Sequence, residues 1–172
     1  MANYAIQNST DITGQIANTT TYITLAAVFA TTGATGPAIQ TRRVKLYDLL
    51  VGTNGTPADN SMEWTIQRTT AGSTQTYTGI VSSRSNALDP ADASMAAMAY
   101  VNSSAETGTL AFTAGTNPLY VGVNQRASYR WVAAPGSEIV IAAVSSNGLA
   151  VRSKSATGYT GTATAAILIQ EQ

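Results

Sequence analysis

Apolar and polar side chains alternate in Met62-Glu63-Trp64-Thr65-Ile66-Gln67-Arg68, from Met62 to Gln67. Successive side chains of a strand point to opposite faces of a sheet, so this pattern places Met62, Trp64 and Ile66 together on one face. A helix would need apolar residues three or four positions apart instead. The segment therefore predicts a half-buried β-strand.

A second alternating segment precedes the first, at Arg42–Val51 (RRVKLYDLLV). Its period of two puts Val44 and Leu46 on the inner face, with Leu50 as the candidate third member. The loop that joins the two segments, Gly52–Asn60, consists almost entirely of turn-forming residues. The sequence therefore predicts two consecutive strands that are joined by a turn-rich loop.

Further strand-like segments follow at spacings of about ten residues, which is typical of sandwiches and barrels. Turn-forming pairs separate several of them, at Asn117-Pro118, Pro135-Gly136 and Asn147-Gly148. The remaining predicted strands are Thr20–Ala30, Gln75–Ser82, Thr109–Thr113, Leu119–Val123, Tyr129–Ala133, Glu138–Val144, Leu149–Arg152 and Thr160–Gln170.

One segment, Ala91–Tyr100, is predicted to be helical. Asp89 suits the N-cap, Pro90 suits the first helical position, and Asp92 lies at the positive end of the helix dipole. Ala and Met residues, which favour helices, follow for roughly three turns. The sequence thus predicts an all-β protein, an antiparallel β-sandwich of the jelly-roll type, with one short helix near residues 90–100.

The length of 172 residues favours a single domain. We expect residues 20–172 to form one β-sandwich domain and residues 1–19 to form an N-terminal arm or edge strand. The arm is polar, with apolar anchors that we expect to contact a neighbouring subunit: Tyr4, Ile6, Ile12 and Ile16. On this hypothesis, deletion of residues 2–16 leaves a folded domain that no longer assembles.

The composition argues against several classes of function. The chain has no His and no Cys, which leaves no imidazole base, no thiol nucleophile, no usual zinc ligands and no disulfides. Nine Lys and Arg balance nine Asp and Glu, which removes the general attraction for nucleic-acid phosphates. We therefore expect no enzyme activity, no cofactor and no metal.

Charged residues make up only 10% of the chain, against about 25% in an average soluble domain. Such a surface is poorly protected against association, which indicates a protein that packs against neighbours. The apolar runs are too short to cross a bilayer, and the first residues have neither a basic segment nor a continuous apolar run, so we expect no secretory signal. We expect synthesis in a reducing cytoplasm, with neither membrane nor nucleic acid as a partner.

Two acidic candidates for a site have structural explanations. Asp89 and Asp92 could form a catalytic carboxylate pair, but capping accounts for both. The loop Gly52–Asn60 holds oxygen ligands for calcium but only one carboxylate, Asp59, and calcium usually takes several. A turn is the preferred interpretation of this loop.

Two basic or aromatic clusters remain as candidates for contacts. Arg42, Arg43 and Lys45 form the densest positive cluster, interpreted as a solvated strand face or as salt-bridge partners. The segment Tyr129-Arg130-Trp131 has the composition of an interaction hot spot, although Trp131 fits the core equally well.

Several stretches resemble small structural proteins of tailed bacteriophages, cyanophages included. They are Arg42–Gly52 (RRVKLYDLLVG), the loop Thr53–Asn60 (TNGTPADN), Glu63–Arg68 (EWTIQR) and Leu88–Ala93 (LDPADA). Within that group the chain is most similar to capsid decoration, or cement, proteins. The resemblance spans about residues 40–100 and, less distinctly, the strand-rich C-terminal half.

This resemblance implies a jelly-roll or β-sandwich protein on the outer surface of a virion with an HK97-like shell. The implied partner is the major capsid protein, and the implied assembly is a homotrimer that clamps adjoining capsomers. Two other roles stay open: a tail or fibre module that binds a host glycan, and a jelly-roll coat protein that assembles without a partner shell.

Overall fold

Antiparallel strands form the regular structure of the protein. The computed structural model describes residues 1–8, 22–32, 41–69, 80–82, 85–102, 112, 116–144, 147–155 and 161–172. These ranges contain no helix and twelve strands: β1 (Ala2–Gln7), β2 (Ile23–Thr32), β3 (Val44–Gly55), β4 (Ser61–Thr69), β5 (Ile80–Ser82), β6 (Ser85–Ala87), β7 (Ala97–Asn102), β8 (Leu119–Asn124), β9 (Tyr129–Val132), β10 (Ile139–Ile141), β11 (Gly148–Ser155) and β12 (Gly161–Glu171).

The strands form two six-stranded sheets. Sheet A has the order β10-β3-β12-β1-β6, and β9 also pairs with β3. Sheet B has the order β5-β7-β2-β11-β4-β8. Every pairing is antiparallel, which confirms the predicted fold class. The jelly-roll topology is not confirmed.

The inner faces of the two sheets share one hydrophobic core. Met62, Trp64 and Ile66 on β4 are buried in it, as their alternation predicts. Ile167 and Ile169 on β12 enter the same core from sheet A. The two sheets therefore pack face to face as a β-sandwich, each hiding one face from water.

A β-bulge in β3 changes which residues of that strand face inward. Ile169 of β12 pairs with Leu46 and Leu168 pairs with Asp48, which leaves Tyr47 as the extra residue. The insertion reverses the alternation beyond it, so that Leu49 and Val51 are buried and Leu50 is 47% exposed. Leu50 is consequently not the third member of the inner face.

The predicted helix at residues 91–100 is wrong. Asp89 does accept a hydrogen bond from the backbone N–H of Ala91 (2.9 Å), but only a single turn follows. From Ala97 the chain is strand β7, which pairs with β2. Ala99 and Val101 alternate into the core there, because pairing in sheet B outweighs the helix preference of Ala and Met.

Residues 2–7 are not an arm or an edge strand. They form β1, which pairs with β12 over its whole length and with β6 on its other side. Asn8 continues this arrangement, since its side-chain amide donates to the carbonyl of Ala163 (2.9 Å). Deletion of residues 2–16 would therefore remove an internal strand of sheet A rather than a separable arm.

Buried polar groups connect the two sheets at the ends of the sandwich. The carboxylate of Glu171, at the end of β12, accepts the backbone N–H groups of Ala96 and Ala97, each at 3.0 Å. Arg68 of β4 donates to the carbonyl of Val140 in β10 (2.8 Å). These hydrogen bonds fix the start of β7 and the edge strand β10.

Two of the predicted strands lie mostly outside the described residues. The final residues of Gln75–Ser82 form β5, and the earlier ones lie outside the described residues. In Thr109–Thr113 only Phe112 is described, as a single bridge to Thr69 of β4.

Candidate functional site

The predicted assembly residues do not form one surface. Tyr4 and Ile6 are core residues, 2% and 0% exposed, because they are the inward positions of β1. The Tyr4 hydroxyl donates to the carbonyl of Ala93 (2.8 Å) inside the same chain. Ile12 and Ile16 lie outside the described residues, so their assembly role stays a prediction.

Two of the charged candidates, Arg42 and Asp59, form ion pairs within the chain. Arg42 lies 3.7 Å from the carboxylate of Glu171, which matches the salt-bridge interpretation of the basic cluster. In the turn-rich loop, Asp59 forms an exposed ion pair with Arg126 at 3.1 Å. Within the described ranges, no three carboxylates group together as a metal site.

The segment Tyr129-Arg130-Trp131 divides between the core and the surface. Tyr129 and Trp131 pack against the core, whereas Arg130 points outward from β9. The Arg130 guanidinium donates twice to the carboxylate of Asp48, with bonds of 3.1 and 2.6 Å. This bidentate pair of hydrogen bonds fixes β9 against β3. It also raises the pKa of Arg130.

The strand β8 forms an edge of sheet B that bears no charge. Its sequence, LYVGVN, contains no Lys, Arg, Asp or Glu. Among the described strands it pairs with β4 alone. Tyr120 is 56% exposed, and a Cβ added at Gly122 would meet no atom within 4 Å. Among the described strands, the side of β8 that faces away from β4 therefore has no pairing partner.

A groove of about 390 Å³ lies on the outer face of sheet A. Its floor is a row of polar side chains on three neighbouring strands, because Asn3 pairs with Gln170 and Gln170 pairs with Lys45. The Gln170 amide donates to Asn3 (3.4 Å), so the two amides contact each other along the row. We refer to this site as the sheet-A groove.

The loop between β9 and β10 forms the wall of the groove, with Ala133, Pro135 and Glu138. It leaves the sheet beside the bulged Tyr47, whose carbonyl accepts the N–H of Ala133 (2.9 Å). Within the loop, Ser137 donates back to Ala134 (2.8 Å) across Pro135 and Gly136. Pro followed by a Gly of positive φ (84°) has the residue pattern of a type II turn.

Lys45 and Glu138 are the two charged side chains among the described residues that line the groove. Backbone N–H groups of Gly136 and of Glu138 itself, followed by the charge of Lys45, lower the pKa of the Glu138 carboxyl. Burial and the nearby Asp48 raise the pKa of the Tyr47 phenol. At neutral pH the groove therefore presents an ionised carboxylate and a neutral phenol beside the Lys45 side chain.

A second polar cluster lies on the outer face of sheet B. The Tyr22 hydroxyl donates to the Glu63 carboxylate (2.6 Å), and the Lys154 ammonium lies 3.1 Å from the same oxygen. The Tyr22 bond and Lys154 lower the pKa of Glu63, while burial and Glu63 raise that of Tyr22. These shifts keep the carboxylate ionised and the phenol protonated, so neither group is poised for proton transfer at neutral pH.

Comparisons with protein-family models, with curated proteins and with solved structures give no match. In the part of the chain that the structure describes, no helix has the length and apolar character needed to span a membrane. The surface of the sandwich offers two candidate sites, the β8 edge and the sheet-A groove.

Proposed function

We propose that this protein is a structural component of a tailed-phage virion that decorates and stabilises the outer surface of an HK97-like capsid. The observation that carries the proposal is the uncharged β8 edge. The low charge of the whole chain supports it, as does the resemblance to decoration proteins. The role needs complementary surface and rigidity rather than an active site.

The other described edges are protected in ways that β8 is not. β5, β6 and β10 contain three residues each. β9 contains four and carries the exposed Arg130. Natural sheets avoid unwanted pairing through such short or charged edges. β8 has six residues and neither device, which favours strand addition by a partner chain.

The partner on β8 is, on this proposal, an extended segment of the major capsid protein. Backbone hydrogen bonds from the added strand supply the affinity, and the inward alternation of Leu119, Val121 and Val123 fixes the register. A homotrimer attached at three points turns weak single contacts into stable attachment through effective concentration. The protein is made in the host cytoplasm and ends on the virion surface.

Substitution of Gly122 by Lys tests the edge directly. The site has open space, so the folded domain accepts the side chain, while a charge on the edge opposes strand addition. We expect Gly122→Lys to lose cosedimentation with expanded capsids that lack this protein, and Gly122→Ala, the matched control, to retain it. Equal capsid binding by the wild type, Gly122→Lys and Gly122→Ala would refute the β8 edge as the attachment site.

Copy number in purified virions tests the wider role. Quantitative peptide mass spectrometry should find this protein in numbers comparable with the major shell protein. A handful of copies would favour the tail or fibre role instead, and absence from the particle would refute the virion role. Particles formed by the purified protein alone would identify a self-assembling coat protein.

A further inference from the structure

We propose that the sheet-A groove binds a neutral saccharide, a property separate from capsid attachment at β8. Its volume of about 390 Å³ lies within the range of about 300–1,000 Å³ found for small-molecule sites. From Asn3 to Lys45 the floor crosses two strand spacings, about 10 Å. That distance suits a ligand of one or two sugar rings.

The floor has the hydrogen-bonding character that hydroxyl groups require. A sugar hydroxyl both donates and accepts, and the amides of Asn3 and Gln170 each offer donors and an acceptor. Lys45 adds a donor at one end of the row, and Glu138 adds an acceptor from the wall. The Tyr47 ring supplies the apolar surface against which the C–H face of a sugar packs.

The charges of the groove select an uncharged ligand. Lys45 and Glu138 compensate each other, and no other charged side chain lines the groove among the described residues. A phosphate-rich ligand such as a nucleic acid would need several cations. Because these two charges cancel, the described lining has no net attraction for a cationic or an anionic ligand, which favours a neutral polyhydroxyl compound.

The groove is also held in shape before any ligand arrives. The bulge places Tyr47 outside the regular ladder, at the position where β3 changes its edge partner from β9 to β10. The turn at Pro135-Gly136 and the bond from Gly136 N–H to Glu138 (3.1 Å) hold the wall. A preorganised site loses less entropy on binding, which matters for weakly bound sugars.

Bulges occur more often than expected beside functional sites, where they redirect a side chain. Here the redirected side chain is the only aromatic one lining the groove among the described residues. The combination of a bulged Tyr, a row of amides and a fixed turn is what distinguishes this groove from the rest of the sheet surface.

An oligosaccharide array of bacterial-surface glycans, probed with the full-length protein, provides the test. The strongest neutral oligosaccharide is then titrated into labelled protein and followed by amide chemical shifts. We expect the largest changes in amide chemical shift at Asn3, Tyr47 and Gln170 and at their neighbours. Tyr47→Ala should weaken saccharide binding at least tenfold. Asn3→Ala removes a smaller side chain, at the opposite end of the row, and is the second test variant.

Tyr120→Ala, which removes an exposed Tyr from the other sheet, is the matched control and should bind like the wild type. Gly122→Lys should also bind saccharide normally, so failure of capsid attachment and failure of the groove remain distinguishable. The proposal is overturned if no neutral glycan binds, if folded Tyr47→Ala and Asn3→Ala both bind as tightly as the wild type, or if the shifts fall elsewhere.

Discussion

Substitution of Gly148 by Ala provides a sharp test of how tightly sheet B is packed. Gly148 begins β11 and pairs with Phe29 of β2 on one side and Thr69 of β4 on the other. An added Cβ would lie 2.6 Å from Phe29 Cδ1, 2.7 Å from Thr69 Cγ2 and 2.9 Å from the carbonyl oxygen of Val28. All three distances are shorter than real Cβ contacts.

None of the three neighbours can easily move away. The Phe29 ring is held edge-to-face by Tyr100, with ring centroids 5.6 Å apart, and the Val28 oxygen belongs to the backbone of a central strand. Overpacking of this kind costs about 1–3 kcal/mol, and a backbone contact places Gly148→Ala in the upper half of that range, about 2–3 kcal/mol. For a domain of this size the melting temperature should fall by roughly 6–9 °C.

Urea unfolding followed by tryptophan fluorescence measures this loss, because Trp64 is buried in the core. Gly122→Ala serves as the control, since its Cβ meets nothing within 4 Å. It should be neutral or stabilising by about 0.4–1 kcal/mol, because Ala restricts the unfolded chain more than Gly. A Gly148→Ala protein within 0.5 kcal/mol of the wild type would refute the packing argument.

Two further predictions concern buried and half-buried carboxylates. Glu171→Gln places an amide where two backbone N–H groups need acceptors, so urea unfolding should show a loss of about 1–3 kcal/mol; an unchanged midpoint would contradict this. The Tyr22 hydrogen bond is the main cause of the lowered pKa of Glu63 in the folded protein. The ionised carboxylate therefore stabilises the fold at pH values above the unfolded-state pKa of Glu63. This stabilisation is lost as the pH falls through the folded-state pKa. Glu63→Gln should therefore weaken the acid dependence of stability below pH of about 4.5, and identical pH profiles for variant and wild type would disprove the assignment.

Alternation in the sequence was sufficient to predict most strands and the inner face of β4. Met62, Trp64 and Ile66 are buried as expected, because a period of two fixes which face meets the core. Leu50 was assigned to the wrong face since a bulge adds one residue to β3 without any local signal of its own. The position of such an insertion depends on the partner strand.

The predictions for the helix and for residues 2–7 of the arm are wrong for a related reason. The Asp89 cap and the Ala-rich stretch after it favour a helix locally, but β2 offers the same residues a strand partner. Tyr4 and Ile6 looked like isolated anchors because their partners on β12 lie at the far end of the chain. Local residue preferences contain no information about pairing between such distant segments.

The sheet-A groove could not be predicted from the sequence. Asn3, Lys45 and Gln170 are ordinary polar residues of three strands, and only the order β3-β12-β1 brings them into one row. The single local signal was the Pro135-Gly136 turn, which marks a loop but not what the loop encloses. Strand order is the information that a single sequence lacks.

The same strand order has a consequence for how the chain folds. Among the twelve described strands, no two that follow each other in sequence pair with each other. Hairpins form in microseconds, and the described strands offer none of them as an early nucleus. Each sheet forms only after large loops have closed, and β1 gains its long partner only when β12 arrives. Folding should therefore belong to the millisecond-to-second class of all-β domains, with β1 lacking its long partner until β12 has been synthesised.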